Sequence, residues 1–280
     1  ESRYPNGFLD LYRTSSGDSG EAPLFFYIHG GGYVGGDKAE GDPAAASSDI
    51  EDTTRYLQQI CMSGYNVVSI NYALAPVYNY PVPVLQIDEA VRFLVENQDT
   101  YGIDMSHVVF SGGSAGGQLA GQYVNIQTNE EYAEQMGMEQ TLGTEGVLGI
   151  VLNSSLLEPV NFARTDSFTN NFMFFEMRQQ YFSGDSGIME EADVIKNLSA
   201  DFPPAYITDG NYGTFDRQAA RLDQRLDELG VYHIFNYYDR STAELPHGYD
   251  SYLDNEYAQE NLDKTLDFLQ KLKEGTGQTG

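Results

Sequence analysis

Phe110-Ser111-Gly112-Gly113-Ser114-Ala115-Gly116-Gly117 is the stretch on which the reading of this chain turns. The residues before it, His107-Val108-Val109-Phe110, are mostly apolar and β-branched, as a buried strand requires, and those after it, Gln118-Leu119-Ala120-Gly121-Gln122-Tyr123-Val124, have a helical composition. Ser114 therefore falls on a strand-to-helix turn. Gly112-x-Ser114-x-Gly116 fits a nucleophile elbow, in which a cramped turn holds a serine hydroxyl clear of the sheet edge and small neighbours avoid a clash. Glycine and serine occur in many turns, so the spacing needs support from elsewhere in the chain.

That support stands upstream, in Leu24-Phe25-Phe26-Tyr27-Ile28-His29-Gly30-Gly31-Gly32-Tyr33. An unbroken apolar run reads as a strand buried on both faces, and the glycines after it expose backbone N–H groups. Ester hydrolysis builds negative charge on the carbonyl oxygen, which preorganised N–H donors stabilise. Gly31 and Gly32 can supply two such donors, and Ala115, at the start of the helix after Ser114, a third. Tyr33, beside the glycines, is a candidate substrate contact.

With both motifs present in this order, the chain resembles the hormone-sensitive-lipase-like branch of the α/β-hydrolase superfamily, carboxylesterases marked by an H-G-G-G loop and a G-x-S-A-G-G elbow. Asn71-Tyr72-Ala73-Leu74-Ala75-Pro76 is similar to that family's Y-R-L-A-P segment, and Tyr101-Gly102-Ile103-Asp104-Met105-Ser106 to its lead into the nucleophile strand. Pro203-Pro204-Ala205-Tyr206-Ile207-Thr208 resembles the strand before the acid, and Leu245-Pro246-His247-Gly248-Tyr249 the histidine loop. The resemblance implies an α/β-hydrolase fold: a mostly parallel sheet flanked by helices, with a helical cap inserted after the sixth strand. It also implies that His29 holds the glycine loop structurally.

Composition agrees with an enzyme of this kind and excludes others. At 280 residues and 41% hydrophobic content, one α/β domain spanning 1–280 is expected. No stretch approaches the roughly 18 apolar residues of a membrane span. The net charge of −27 weighs against nucleic acid and anionic membranes, and leaves a neutral ester little affected. The single cysteine, Cys61, rules out an intramolecular disulfide and reads as a small buried apolar residue. The four histidines show no ligand spacing, so neither metal nor cofactor is expected. The chain begins with Glu1 rather than Met, and the expectation is a soluble protein, cytoplasmic or exported with its leader removed; a homodimer stays open.

Taken in order, residues 8–13 read as an edge strand, joined by a turn at 15–20 to the strand 24–28 in an antiparallel hairpin. A polar, alanine-rich segment spans 35–48, a helix 52–62 and a strand 65–70. Three prolines make 75–83 a loop, before an amphipathic helix over 85–97. Residues 128–146 are acidic surface decoration, and 147–153 is a buried strand. About 161–201 is too long for an ordinary connection of about 2 to 6 residues and should be the cap. Most of its aromatic and Met residues should pack on the body, and the rest line an apolar pocket. Strands at 205–208 and 232–238, helices at 215–229 and 257–272, and a tail at 275–280 complete the chain.

A serine hydroxyl needs a base, and His247, after the last strand, stands where the chain order serine, acid, histidine puts it. The acid departs from the resemblance: matching without gaps sets Tyr212 at its position. Asp209 at the strand end, Asp216 at the following helix start and Glu158 after the preceding strand are the carboxylates near enough to substitute, in that order of preference. The expected activity is a serine carboxylesterase acting on short-chain or acetyl esters through an acyl-enzyme. The alternatives are a degenerate hydrolase that binds without chemistry, or a peptidase of the same fold.

Overall fold

Seven runs of apolar and β-branched residues become strands: β1 Leu9–Tyr12, β2 Leu24–Ile28, β3 Asn66–Ile70, β4 Val108–Gly113, β5 Val147–Asn153, β6 Ala205–Asp209 and β7 His233–Tyr237. The computed structural model describes residues 2–16, 20–38 and 50–275. Residues 17–19 of the expected turn, 39–49 with most of the alanine-rich segment, and 276–280 of the tail lie outside the described residues. The strands form one sheet in the order β1-β3-β2-β4-β5-β6-β7, with every pairing parallel except β1 on β3.

The expected hairpin between β1 and β2 does not form, because β1 pairs with β3 in the register Leu9↔Ile70 to Tyr12↔Val67. Burial explains the exchange. β2 is buried along its length except at Tyr27 and takes parallel partners on both sides, whereas all four residues of β1 are only half-buried and suit an edge.

Alternation along the strands divides the core in two. Phe26, Val68, Phe110, Ile150, Leu152 and Ile207 face one way and Phe25, Val67, Val109, Val151 and Tyr206 the other. On the second side pack α1 Ile50–Met62, through Leu57 and Ile60, and the C-terminal helix, through Leu262, Phe268 and Leu269. On the first pack α2 Val82–Tyr101 and α3 Ala115–Thr128. Helix α2 begins three residues before its expected start, with Pro83 inside its first turn, where a missing N–H costs nothing. The short helices α4 Glu130–Met136 and α5 Gly143–Gly146 follow α3, and α4 buries Tyr132 and Ala133 rather than only decorating the surface.

The segment about 161–201 leaves the sheet after β5, the fifth strand of this chain and not the sixth, and carries α6 Phe168–Phe182 and α7 Ser186–Glu191. Its aromatic residues divide by helix face. Phe174, Tyr181 and Phe182 are buried, while Phe168 and Phe172 are largely open to solvent and Met173 and Phe175 are partly so. Helices α8 Asp216–Leu229 and α9 Glu256–Lys273, the C-terminal helix named above, complete the layers. No helix among the described residues is long and apolar enough to cross a membrane.

Helix α3 is buried at all fourteen of its positions, polar ones included. Its amides must therefore find partners inside the protein. Gln118 donates to Gln122 Oε1 and to the Ala192 carbonyl, Gln122 to the Tyr80 and Tyr132 hydroxyls, and Asn125 to the Val194 carbonyl. The bonds to Ala192 and Val194 fasten the helix after Ser114 to the inserted segment. On the sheet side, Phe110 lies against Phe26 and Tyr123 with ring centroids 5.3 and 5.5 Å apart. Phe110→Ala should lower the free energy of unfolding by about 3–5 kcal/mol, measured by urea denaturation.

Candidate active site

The elbow is a matter of close approach. A Cβ on Gly116 would fall 2.1 Å from the Ile28 carbonyl oxygen and 2.4 Å from that of His29, so helix α3 starts almost in contact with the end of β2. The chain must reverse within one residue, and Ser114 takes up φ 54°, ψ −118°, a conformation rare for a side chain bearing a Cβ. Its N–H is held by the Asn153 carbonyl at 3.0 Å.

The glycine loop sits against this turn. Gly31 has φ 95°, and a Cβ there would strike the Gly35 carbonyl oxygen at 2.2 Å. The Tyr72 hydroxyl donates to the carbonyls of His29 (3.0 Å) and Gly30 (3.2 Å), and the Tyr72 ring stacks on His29 at 4.2 Å. Burial lowers the His29 pKa to about 4, so its ring is neutral at pH 7, and Nδ1 donates to the Gly30 carbonyl at 2.8 Å. The backbone N–H groups of Gly31, Gly32 and Ala115 donate to no other described residue. A Cβ at Gly32 would lie 2.2 Å from Met177 Sδ, which places helix α6 directly over the loop.

His247 comes from the loop after β7. Its Nε2 stands 3.0 Å from Ser114 Oγ, and its Nδ1 3.0 Å from Thr214 Oγ1. Phe174 and Phe215 meet the imidazole edge-on, at 5.4 and 4.9 Å between centroids, and burial lowers its pKa to about 4. The histidine loop is fixed by Asn211, whose side chain donates to the carbonyls of Tyr238 and Ala243 at 2.8 Å and accepts from Leu245 N at 3.0 Å. The Asn211 and Tyr212 N–H groups both donate to the Leu245 carbonyl.

Of the three candidate acids, Asp209 is the one in this neighbourhood. It is wholly buried at the end of β6, and Oδ1 accepts the Thr214 hydroxyl. Its Oδ2 has no hydrogen-bond partner among the described residues. Burial pushes its pKa well above the usual carboxylate range; the Thr214 hydrogen bond opposes the shift, and repulsion from Asp250 and Asp216 adds to it. Asp209 thus reaches His247 only by way of Thr214.

The other sequence candidates stand elsewhere. Asp216 opens α8 and lines a polar hollow with Arg164, Asp166, Arg217 and Arg240, which suits a carboxylate at a helix N-terminus. Glu158 is paired with Arg221, whose Nε donates to it at 2.7 Å. Tyr212 is 41% exposed, with the Arg240 guanidinium 5.4 Å over its ring. Tyr33 is fully buried, stacked on Tyr181 at 3.8 Å with its hydroxyl donating to Gln118, so it braces the inserted segment and is not available to a substrate. Cys61 is half-buried, less enclosed than expected.

Two further residues of this neighbourhood have no motif to announce them. Thr214 lies in the segment where Tyr212 replaces the expected acid, and that replacement was the available signal. Asp250, three residues after His247, is buried and raised to about 6 by that burial; it accepts the Ser154 hydroxyl, which in turn accepts Gly248 N at 3.1 Å.

The BD-FAE family model matches residues 9–215, from β1 to the threshold of α8. The chain belongs to the BD-FAE family. The likeness read from the glycine loop and the elbow is thereby borne out. Among curated relatives of this BD-FAE chain, Esterase LipI of Mycobacterium tuberculosis is 33% identical over 41% of this chain and 33% of its own length. The ethyl acetate hydrolase of Pseudomonas putida is 36% identical over 39% of this chain and 31% of its own. The matched stretch thus spans about a third of these relatives.

Solved structures extend the likeness to nearly the whole chain. Esterase B of Lactobacillus rhamnosis superposes with a TM-score of 0.77 at 23% identity, over 98% of this chain and 86% of its own. EstE1, a thermostable carboxylesterase cloned from a metagenomic library, gives 0.73 at 20%, over 94% and 84%. At such identities the shared property is the fold, that of the α/β-hydrolases.

Asn211→Ala should cost at least about 2 kcal/mol by leaving two carbonyls and an amide of the histidine loop without partners, and should lower kcat/KM as the loop loosens. Paired denaturation and kinetic measurements check both.

Proposed function

We propose that this BD-FAE chain is a serine carboxylesterase acting on acetyl and other short-chain esters. The observation that carries the reading is the 3.0 Å contact of Ser114 Oγ with His247 Nε2, beside three backbone N–H groups with no partner among the described residues. An unprotonated Nε2 accepts the serine proton as Oγ bonds to the ester carbonyl carbon. The carbonyl oxygen becomes an oxyanion held by the N–H groups of Gly31, Gly32 and Ala115. His247 then returns the proton to the leaving alcohol as the C–O bond breaks. Water repeats the sequence on the acyl-enzyme, releasing the acid and restoring Ser114, while Asp209 is the acid behind the histidine.

The surroundings support a small, neutral substrate. Met177 lies on Gly32 and Phe174 on His247, so a substrate would share the space beside the serine with side chains of α6. In this reading the chain is one α/β-hydrolase domain, with about 161–201 as its cap. The net charge of −27 disfavours anionic esters. The names of the relatives, esterases and an ethyl acetate hydrolase, point the same way. The binding-protein alternative draws its motive from Tyr212; a buried carboxylate, Asp209, linked to His247 through Thr214 supports the enzyme reading over it.

The purified protein should hydrolyse p-nitrophenyl acetate and butyrate faster than long-chain esters. Ser114→Ala should lower kcat by a factor on the order of 10⁶, in practice to the buffer rate. Wild type and Ser114→Ala equally silent across the acyl series would overturn the reading.

A further inference from the structure

We propose that Thr214 is the positioning residue that couples His247 to Asp209, so that the acid acts on the histidine through a hydroxyl and not by direct contact. The proposal rests on the esterase reading. Its starting point is the substitution at Tyr212, whose exposed ring is turned to Arg240 and offers the imidazole nothing. The carboxylate close at hand is sealed under the end of β6, and the Thr214 side chain fills the interval.

With Asp209 ionised, the state the Thr214 hydrogen bond favours against the opposing pull of burial, the donor count fixes the direction of this relay. A threonine hydroxyl has one proton and two lone pairs, and an ionised carboxylate only accepts. The Thr214 proton therefore goes to Asp209 Oδ1, and a lone pair of Oγ1 faces His247 Nδ1, which must carry the ring proton. Nε2 is left bare toward Ser114 Oγ, the tautomer a general base needs. When Nε2 takes up the serine proton, the imidazolium charge is stabilised along two linked hydrogen bonds that polarise each other. With Asp209 protonated the relay runs backward: the carboxyl donates to Thr214, Thr214 donates to Nδ1, and the Nε2 proton blocks Ser114.

Thr214 is built for this place. It is buried, and its neighbour Gly213 is pinned on both sides: Gly213 N donates to Asp166 at 2.7 Å, and its carbonyl accepts Asn170 Nδ2 at 2.7 Å. On the other side Phe215 packs against His247 and Phe174. The groups that face the Asp209 carboxylate are Asp250, from the turn after His247, Asp216, from α8, and the Gly210 N–H; the two carboxylates oppose its ionisation. The Thr214 hydroxyl is the side-chain hydrogen bond that favours the ionised form.

The test compares Thr214→Val, which keeps the shape without the hydroxyl, Thr214→Ser, which keeps the hydroxyl, Asp209→Asn, and the double variant Thr214→Val/Asp209→Asn in the full chain. Thermal melts report folding of each. On p-nitrophenyl acetate Thr214→Val should lose about 10²–10⁴ in kcat with little change in KM, the upper figure being that for loss of a triad aspartate. Thr214→Ser should recover most of the rate, and the double variant should fall no further than Asp209→Asn alone. Nitrogen-15 NMR of the histidine rings should give the Nδ1–H tautomer of His247 in wild type and a mixture in Thr214→Val. An active wild type with an undiminished Thr214→Val, a Thr214→Ser as slow as Thr214→Val, or an Nε2–H tautomer in wild type would overturn the coupling while leaving the esterase reading intact. Silence of the wild type toward every ester would overturn that reading, and the coupling with it.

Discussion

The first turn of α3 touches the end of β2, and the rest of the site follows from that contact. With the Ile28 and His29 carbonyls occupying the space of any side chain at position 116, the chain has a single residue in which to pass from strand to helix. That residue is Ser114, held at positive φ with its hydroxyl proud of the sheet. The same contact brings the glycine loop alongside the helix start, so two sets of N–H groups from distant parts of the sequence share one edge of the sheet. Strain of this kind persists only where surrounding structure over-determines it. Here the Asn153 carbonyl on one side and a wholly buried helix on the other do so.

A helix buried all round is an unusual foundation, and its cost is offset by polar chemistry. Gln118, Gln122 and Asn125 would be expensive in an apolar interior without partners. Each finds one in the inserted segment or its neighbours, and Tyr33 and Tyr181 stack between the glycine loop and that segment. The inserted segment is thus bonded to the elements that frame Ser114, through hydrogen bonds and rings alike. Met177 and Phe174 reach the site from a helix whose opposite face carries exposed Phe168 and Phe172.

Much of this was legible in the sequence because it rests on short-range rules. Runs such as Val147–Asn153 have one sensible home in a parallel sheet, and a glycine loop followed by G-x-S-x-G defines where each must stand. What failed was decided by tertiary partners. The β1 pairing turned on which strand had a free edge, a property of the whole sheet. Tyr33 looked like a substrate contact from its place beside the glycines, but Tyr181, far along the chain, claims its ring. Asp216 and Glu158 were plausible acids by spacing, and their real partners, a helix start and Arg221, are ordinary surface chemistry. The strand end marks Asp209 as a candidate, yet nothing in its local sequence says that a hydroxyl five residues on would stand between it and the histidine.

The central claim is that the hydroxyl of Ser114, and no other, forms the covalent intermediate. A small fluorophosphonate offered to the intact protein, followed by mass spectrometry of the whole chain and its peptides, reads this directly. The account predicts a single adduct, carried by the peptide that contains Ser114; absence of any adduct, or one on another residue, would contradict it.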